Sequence, residues 1–217
     1  MSPLPRVPGY ELLQPLGGGP LTHVFKARRL DTDKLCAVKL LRDEWADHAT
    51  AIKLLRREAL ALLAVRHPHV VRILDAHLAR PPHAIALELL GGESLRERLQ
   101  REYSLDIRTA VWMARQTADG LSALHRAGFI HGDVKPENVR LTDPGTAILV
   151  DLGFAHRPGA DRDLGDDYVL GTANYLAPEL SRDAAADGFA TDWYSFGVTV
   201  LEMLTGRVPG PTLTSGE

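Results

Sequence analysis

The chain has 217 residues, 45% of them hydrophobic, enough for a real core in one large domain or two small ones. Its formal net charge of −3 supplies no field that would draw nucleic acid or an anionic membrane surface. A single cysteine, Cys36, excludes an intramolecular disulfide; with no apolar run long enough for a bilayer and no secretory leader, a soluble cytoplasmic protein is expected.

Residues 10 to 40 read as strand-rich, with Gly17-Gly18-Gly19-Pro20 as a turn between two apolar stretches. Glycines at 17 and 19 would let backbone N–H groups approach phosphate oxygens, although an ordinary glycine-rich hairpin has the same pattern. His23 and Lys26 read as solvated loop residues. Cys36-Ala37-Val38-Lys39-Leu40 reads as a strand with a lysine among apolar neighbours. Residues 47 to 65 read as a helix, with Ile52, Leu55, Ala59 and Leu62 at spacings of three and four. Glu58 falls three after Leu55 and four before Leu62, on the apolar face of that helix. A carboxylate facing a core needs a cation, and Lys39 is the expected partner, whether for chemistry or as a structural salt bridge.

His67-Pro68 ends the helix, because the residue before proline is pushed out of the α region. His67-Pro68-His69 reads as a loop and not a metal site, since no paired cysteines or acidic cluster accompany it. Val70 to Leu74 and Ile85 to Leu90 are short strand candidates, and Gly91-Gly92 is a boundary. Helical patterns follow over Ser94 to Arg101, with Ser94 as cap, over Asp106 to Ala127, and over Thr191 to Gly206. A sheet-rich part followed by a helix-rich part is an α+β arrangement.

The chemistry concentrates in His131-Gly132-Asp133-Val134-Lys135-Pro136-Glu137-Asn138. Asp133 is a proton acceptor, Lys135 a cation and Asn138 an amide able to ligate Mg²⁺; Asp151-Leu152-Gly153 follows after an apolar run that reads as a buried strand. Phosphoryl transfer from ATP needs such a set, to orient the hydroxyl, neutralise charge and hold metal. His131 reads as a buried structural histidine with Leu152 as its packing neighbour. Gly171-Thr172-Ala173-Asn174-Tyr175-Leu176-Ala177-Pro178-Glu179 is turn-rich, and the aspartates at 161, 163, 166 and 167 read as a solvated acidic loop. Asp192-Trp193-Tyr194-Ser195-Phe196-Gly197 opens a helix apolar nearly all round, hence buried, with Asp192 placed to brace the 131–138 loop.

Jointly, from about Leu12 to Pro209, these segments resemble the eukaryotic-like (Hanks-type) Ser/Thr protein kinase family, of the bacterial kind given the alanine- and arginine-rich composition. The resemblance implies a two-lobed protein-kinase-like fold in a catalytic domain at 9–217. A small antiparallel-sheet lobe with one helix would occupy 9–87, a hinge 88–92, and part of a mainly helical larger lobe 93–217. It implies ATP and Mg²⁺, and protein substrates bearing Ser or Thr on a platform at 171–179. It makes Asp133 the base, places Lys135 on the γ-phosphate and Asn138 with Asp151 on Mg²⁺. Lys39, held by Glu58, would take the α- and β-phosphates. Leu16, Gly17, Gly18, Gly19, Val24, Ala37, Leu87, Glu88, Leu90 and Arg140 would surround the nucleotide, with Leu87 limiting access behind the adenine and the main chain from Glu88 meeting its edge.

The chain departs from the family pattern in places. Thr22 replaces the third glycine of the loop. Gly132 stands where the family usually has an arginine that pairs with a phosphorylated loop, and only Tyr168 offers a hydroxyl between Leu152 and Gly171, so gating by loop phosphorylation is not expected. Arg140 stands where an apolar residue lies beneath the adenine; its stem is expected to serve, with the guanidinium in solvent. The family's larger lobe continues through further helices and supplies an arginine for Glu179, so an end at Glu217 reads as a fragment or truncated product with part of the 193–205 helix exposed. A catalytically impaired ATP-binding or scaffold protein is the alternative on that account. A small-molecule phosphotransferase would have no need of the 171–179 platform.

Overall fold

A computed structural model describes residues 5–143, 145–159, 172–180 and 188–209. They fall into two compact units: one runs to Arg66 and includes Val71–Leu90, the other takes His67–Val70 and everything from Gly91.

The first unit is built on a five-stranded antiparallel sheet of order β1-β2-β3-β5-β4. Its strands are β1 (Tyr10–Gly18), β2 (Thr22–Arg29), β3 (Leu35–Leu41), β4 (Ile73–His77) and β5 (Ala84–Glu88). Alternation sends Phe25, Cys36, Val38, Leu40 and Ala86 into one apolar core with Tyr10 and Leu12. The two edge strands meet through a hydrogen bond from the Tyr10 hydroxyl to Asp75 at 3.1 Å, so the sheet is strongly curled. Helix α1 (Ala49–Ala64) buries Leu54, Leu55, Ala59 and Leu62, and leaves Ile52 half-buried. It ends at Val65, which is extended, two residues ahead of His67-Pro68.

Two local expectations are corrected. The strand expected at Val70 to Leu74 lies at Ile73–His77, because Val70 forms a parallel bridge to Leu149 of the second unit's own sheet. His23 and Lys26 are half-buried β2 residues and not loop residues, since the turn is confined to the few residues between Gly18 and Thr22.

The second unit holds α2 (Leu95–Glu102), α3 (Ile107–Arg126) and α4 (Phe189–Thr205). Its small antiparallel sheet joins β6 (Glu93–Ser94), β7 (Val139–Thr142) and β8 (Thr146–Leu149). The helix ends are chemically marked. Ser94 and Glu97 form a reciprocal capping box, Asp106 accepts the Arg108 and Thr109 N–H groups, and Gly206 closes α4 in the left-handed region. Helix α3 lies on β8, where Gln116 accepts the Ala147 N–H at 3.2 Å. Helix α4 is not buried all round: Val198, Thr199, Glu202 and Met203 are covered, whereas Trp193, Tyr194, Leu201 and Leu204 are exposed. No helix among the described residues is long and apolar enough to cross a membrane.

Candidate active site

The 131–138 segment is fixed from below by the first turn of α4. The Asp192 carboxylate, 1% exposed, accepts the His131 N–H at 2.7 Å and the Gly132 N–H at 2.9 Å, and His125 Nε2 lies 2.8 Å away. A buried carboxylate with three such neighbours is compensated, and it sets the course of the loop. His131 is fully buried, and its Nδ1 accepts the Asp133 N–H at 3.3 Å. Gly132 has φ +80°, and a Cβ there would lie 2.9 Å from the Phe154 carbonyl oxygen. Glycine at this position is therefore a backbone requirement.

This scaffold delivers Asp133 with both carboxylate oxygens occupied. Oδ1 accepts the Thr172 hydroxyl at 2.9 Å; Oδ2 lies 2.5 Å from Lys135 Nζ and accepts from Asn138 Nδ2 at 3.0 Å. Lys135 Nζ also donates to Thr172 Oγ1 at 2.6 Å, which closes a ring of Asp133, Lys135 and Thr172. Thr172 was visible in the sequence only as part of the turn-rich segment; nothing in its spacing marked it as a neighbour of Asp133.

Asn138 ends a 3-10 turn that opens with Pro136. Its Nδ2 also donates to the Asp133 carbonyl at 2.8 Å, which leaves Oδ1 as the ligand-capable atom. The Asn138 carbonyl accepts the Val150 N–H at 2.9 Å, so Asp151 follows directly on a bonded link to Asn138. Asp151 is exposed and left-handed at φ +58°, a conformation that a non-glycine residue adopts at a cost. An amide oxygen and a carboxylate are hard donors that suit Mg²⁺, which needs one or two protein ligands. Among the described residues no three His, Cys, Asp or Glu side chains converge, so a metal here would draw its remaining oxygens from phosphate and water. His67 and His69 are engaged structurally: His67 Nδ1 accepts the His69 N–H, and His69 Nδ1 meets the Ala147 carbonyl.

In the first unit, Lys39 Nζ lies 2.8 and 2.7 Å from the two oxygens of Glu58, with the residues 7% and 1% exposed. The strand register pairs Gly17 with Val24, Val24 with Lys39, and Ala37 with Leu87. Paired residues share a face, so Gly17, Val24, Ala37, Lys39 and Leu87 all lie on the sheet face opposite the apolar core. Leu16 is exposed and Leu90 half-buried. Gly18, at φ +151°, packs so tightly on the Thr22 carbonyl that no Cβ fits. The Gly19 N–H is spent on the Thr22 carbonyl at 3.0 Å, so the turn itself consumes one donor expected for phosphate. Glu88 pairs its N–H with the Arg72 carbonyl and its Oε1 with the Arg72 N–H.

The Arg140 guanidinium lies at the exposed edge and is tethered there: Nε donates to the Gly91 carbonyl at 3.1 Å and Nη2 to the Gly92 carbonyl at 2.6 Å, with Glu97 at 3.8 Å. Two adjacent carbonyls match the planar fork, which holds the head against the main chain. Gly171, Tyr168, the aspartates at 161, 163, 166 and 167 and the tail from Gly210 lie outside the described residues. Among the described residues Glu179 has no ion-pair partner.

Comparison with known proteins matches residues 10–216 to the family described as "Protein kinase domain". The serine/threonine-protein kinase PrkC of Bacillus subtilis is 30% identical over 92% of this chain and 31% of its own length. A serine/threonine-protein kinase of Corynebacterium efficiens is 35% identical over 93% of the chain and 40% of its length. PknL of Mycobacterium tuberculosis is 33% identical over 89% of the chain and 48% of its length. The chain thus spans less than half the length of these curated relatives. With one family matched across nearly its whole length, the chain belongs to the protein kinase domain family.

Proposed function

We propose that this chain transfers the γ-phosphoryl group of ATP to Ser or Thr hydroxyls of protein substrates, with Mg²⁺ as cofactor. The observation that carries the reading is the buried Asp133 carboxylate, held on both oxygens by Lys135, Asn138 and Thr172. In the transfer, the substrate hydroxyl oxygen bonds to the γ-phosphorus, the bond to the β,γ-bridging oxygen breaks, and ADP leaves. Asp133 orients the hydroxyl and accepts its proton; Lys135 offsets charge on the moving phosphoryl group. Asn138 Oδ1 and the Asp151 carboxylate would hold Mg²⁺, which when bound neutralises phosphate charge.

In the first unit, Lys39 would bind the α- and β-phosphates, pre-oriented by Glu58. Main-chain N–H groups among Gly17, Gly18 and Gly19 would approach the phosphates, apart from the one that the turn consumes. Val24, Ala37 and Leu87, on the face of Lys39, would supply apolar contact to the adenine, with Leu16, Glu88, Leu90 and the stem of Arg140 around it. The shared face of these residues supports that reading. The single cysteine, Cys36, leaves no intramolecular disulfide to form, which suits a reducing cytoplasm. Transfer from labelled ATP to a generic protein substrate, with Asp133→Asn and Asp151→Asn as controls, tests the proposal. Activity insensitive to both changes would overturn it.

A further inference from the structure

Arg96 stands in the first turn of α2 and takes no part in the chemistry assigned above. Its Nε donates to Glu137 Oε1 at 2.7 Å, its Nη1 to Glu202 Oε1 at 2.5 Å, and its Nη2 to the Tyr175 hydroxyl at 2.6 Å and Glu202 Oε2 at 3.2 Å. Tyr175 donates its own hydroxyl to Glu202 Oε2 at 2.6 Å. Glu202 and Tyr175 are each 4% exposed. Burial opposes charge on Arg96, but the bonds to Glu202 and Glu137 outweigh it and hold its pKa above the ordinary guanidinium value. Burial, then the bond to Glu202, raises the Tyr175 phenol.

The partners come from three separate segments. Glu137 lies between Lys135 and Asn138 in the catalytic loop. Tyr175 ends a 3-10 turn whose start, Thr172, accepts the Tyr175 N–H at 2.8 Å and carries the hydroxyl wedged between Lys135 and Asp133. Glu202 is on α4, whose Ser195 holds the Tyr175 carbonyl at 2.7 Å. Two carboxylates and a phenol around one planar cation form a site for a guanidinium; an ammonium would not reproduce the fork.

We propose that Arg96 is a positioning residue: by joining Glu137, Tyr175 and Glu202 it holds the turn carrying Thr172 against the catalytic loop, and the site it fills binds a free guanidinium once vacated. The rate arm of the test rests on the phosphoryl-transfer reading; the binding arm does not.

Arg96→Ala is compared with wild type, with and without millimolar methylguanidinium, and with methylammonium or sodium at equal ionic strength. The expected kcat of Arg96→Ala falls by up to about 10²-fold, the loss that misplacing reacting groups by roughly 1 Å produces. Methylguanidinium restores the rate severalfold and raises the melting temperature of the variant, but not of wild type. Methylammonium does neither, and Arg96→Lys stays impaired. A wild-type rate in Arg96→Ala, or methylguanidinium with no effect on rate or melting, overturns the proposal. Should Arg96→Ala fail to fold, Tyr175→Phe keeps the carboxylate pairs and cuts the link to the turn. It should lower kcat with the KM for ATP unchanged, and a wild-type kcat overturns the proposal. If wild type itself transfers no phosphate, the phosphoryl-transfer reading fails, and the melting arm still decides the guanidinium site.

Discussion

Lys39 Nζ sits between both carboxylate oxygens of Glu58, at 2.8 and 2.7 Å, and the pair is almost wholly buried. Removing one partner takes a bidentate counter-ion from a buried charge, a loss of about 3–5 kcal/mol. Glu58→Ala should therefore destabilise the protein by about that amount in denaturant unfolding. Lys39→Met with Glu58→Leu should be much milder than the sum of the single changes. Additive single losses would show that the two charges do not depend on each other.

Gly132 is held at φ +80° against the Phe154 carbonyl, with its N–H fixed by Asp192. Restoring the arginine usual in the family forces a side chain into the left-handed region, which costs about 1–3 kcal/mol. Thermal unfolding of Gly132→Arg should show a lower Tm, and Gly132→Ala most of the same drop. An unchanged Tm in both would mean that the loop accommodates a Cβ freely.

The legible part of this protein was what depends on neighbours in sequence. Glu58 declared its burial through its phase among Leu55, Ala59 and Leu62, and Ser94 and Asp106 declared the starts of their helices. Strand β8 was legible as the apolar run ahead of Asp151, whereas β6 and β7 were harder, because two to four residues carry no measurable alternation. The displaced β4 reflects a tertiary pull, Val70 being claimed by Leu149. Arg96 was invisible for a similar reason: its partners lie 41, 79 and 106 positions away, and no local spacing encodes them. The tether on the Arg140 guanidinium was not legible, because it depends on where the Gly91 and Gly92 carbonyls point.

Arg140→Leu deletes the fork that holds those two carbonyls, next to Leu90 of the proposed nucleotide site. Each lost hydrogen bond is worth about 0.5–1.5 kcal/mol. Isothermal titration with ATP should show a weaker Kd, by up to about tenfold, the equivalent of 1.4 kcal/mol. Equal or tighter binding would show that the brace has no bearing on the nucleotide.

Glu93 receives hydrogen bonds from Arg101 and Arg98, which lower its pKa from the ordinary 4.5 to about 2. A depressed folded pKa contributes stability that is complete above the unfolded value and is lost as pH falls through the folded one. The contribution should fade between pH 4.5 and about 2. Melting temperatures of wild type and Glu93→Gln should differ at neutral pH and converge across that window. A constant difference down to the lower limit would rule out Glu93 as the titrating group.

The central claim is that Asp133 is the proton acceptor in phosphoryl transfer. Its most direct test is the initial rate of labelled phosphate transfer from ATP to a serine-containing protein substrate, for wild type and Asp133→Asn at matched fold content. Wild type should transfer phosphate, and the variant should be slower by about 10²–10⁴-fold. A variant that transfers at the wild-type rate would contradict the claim.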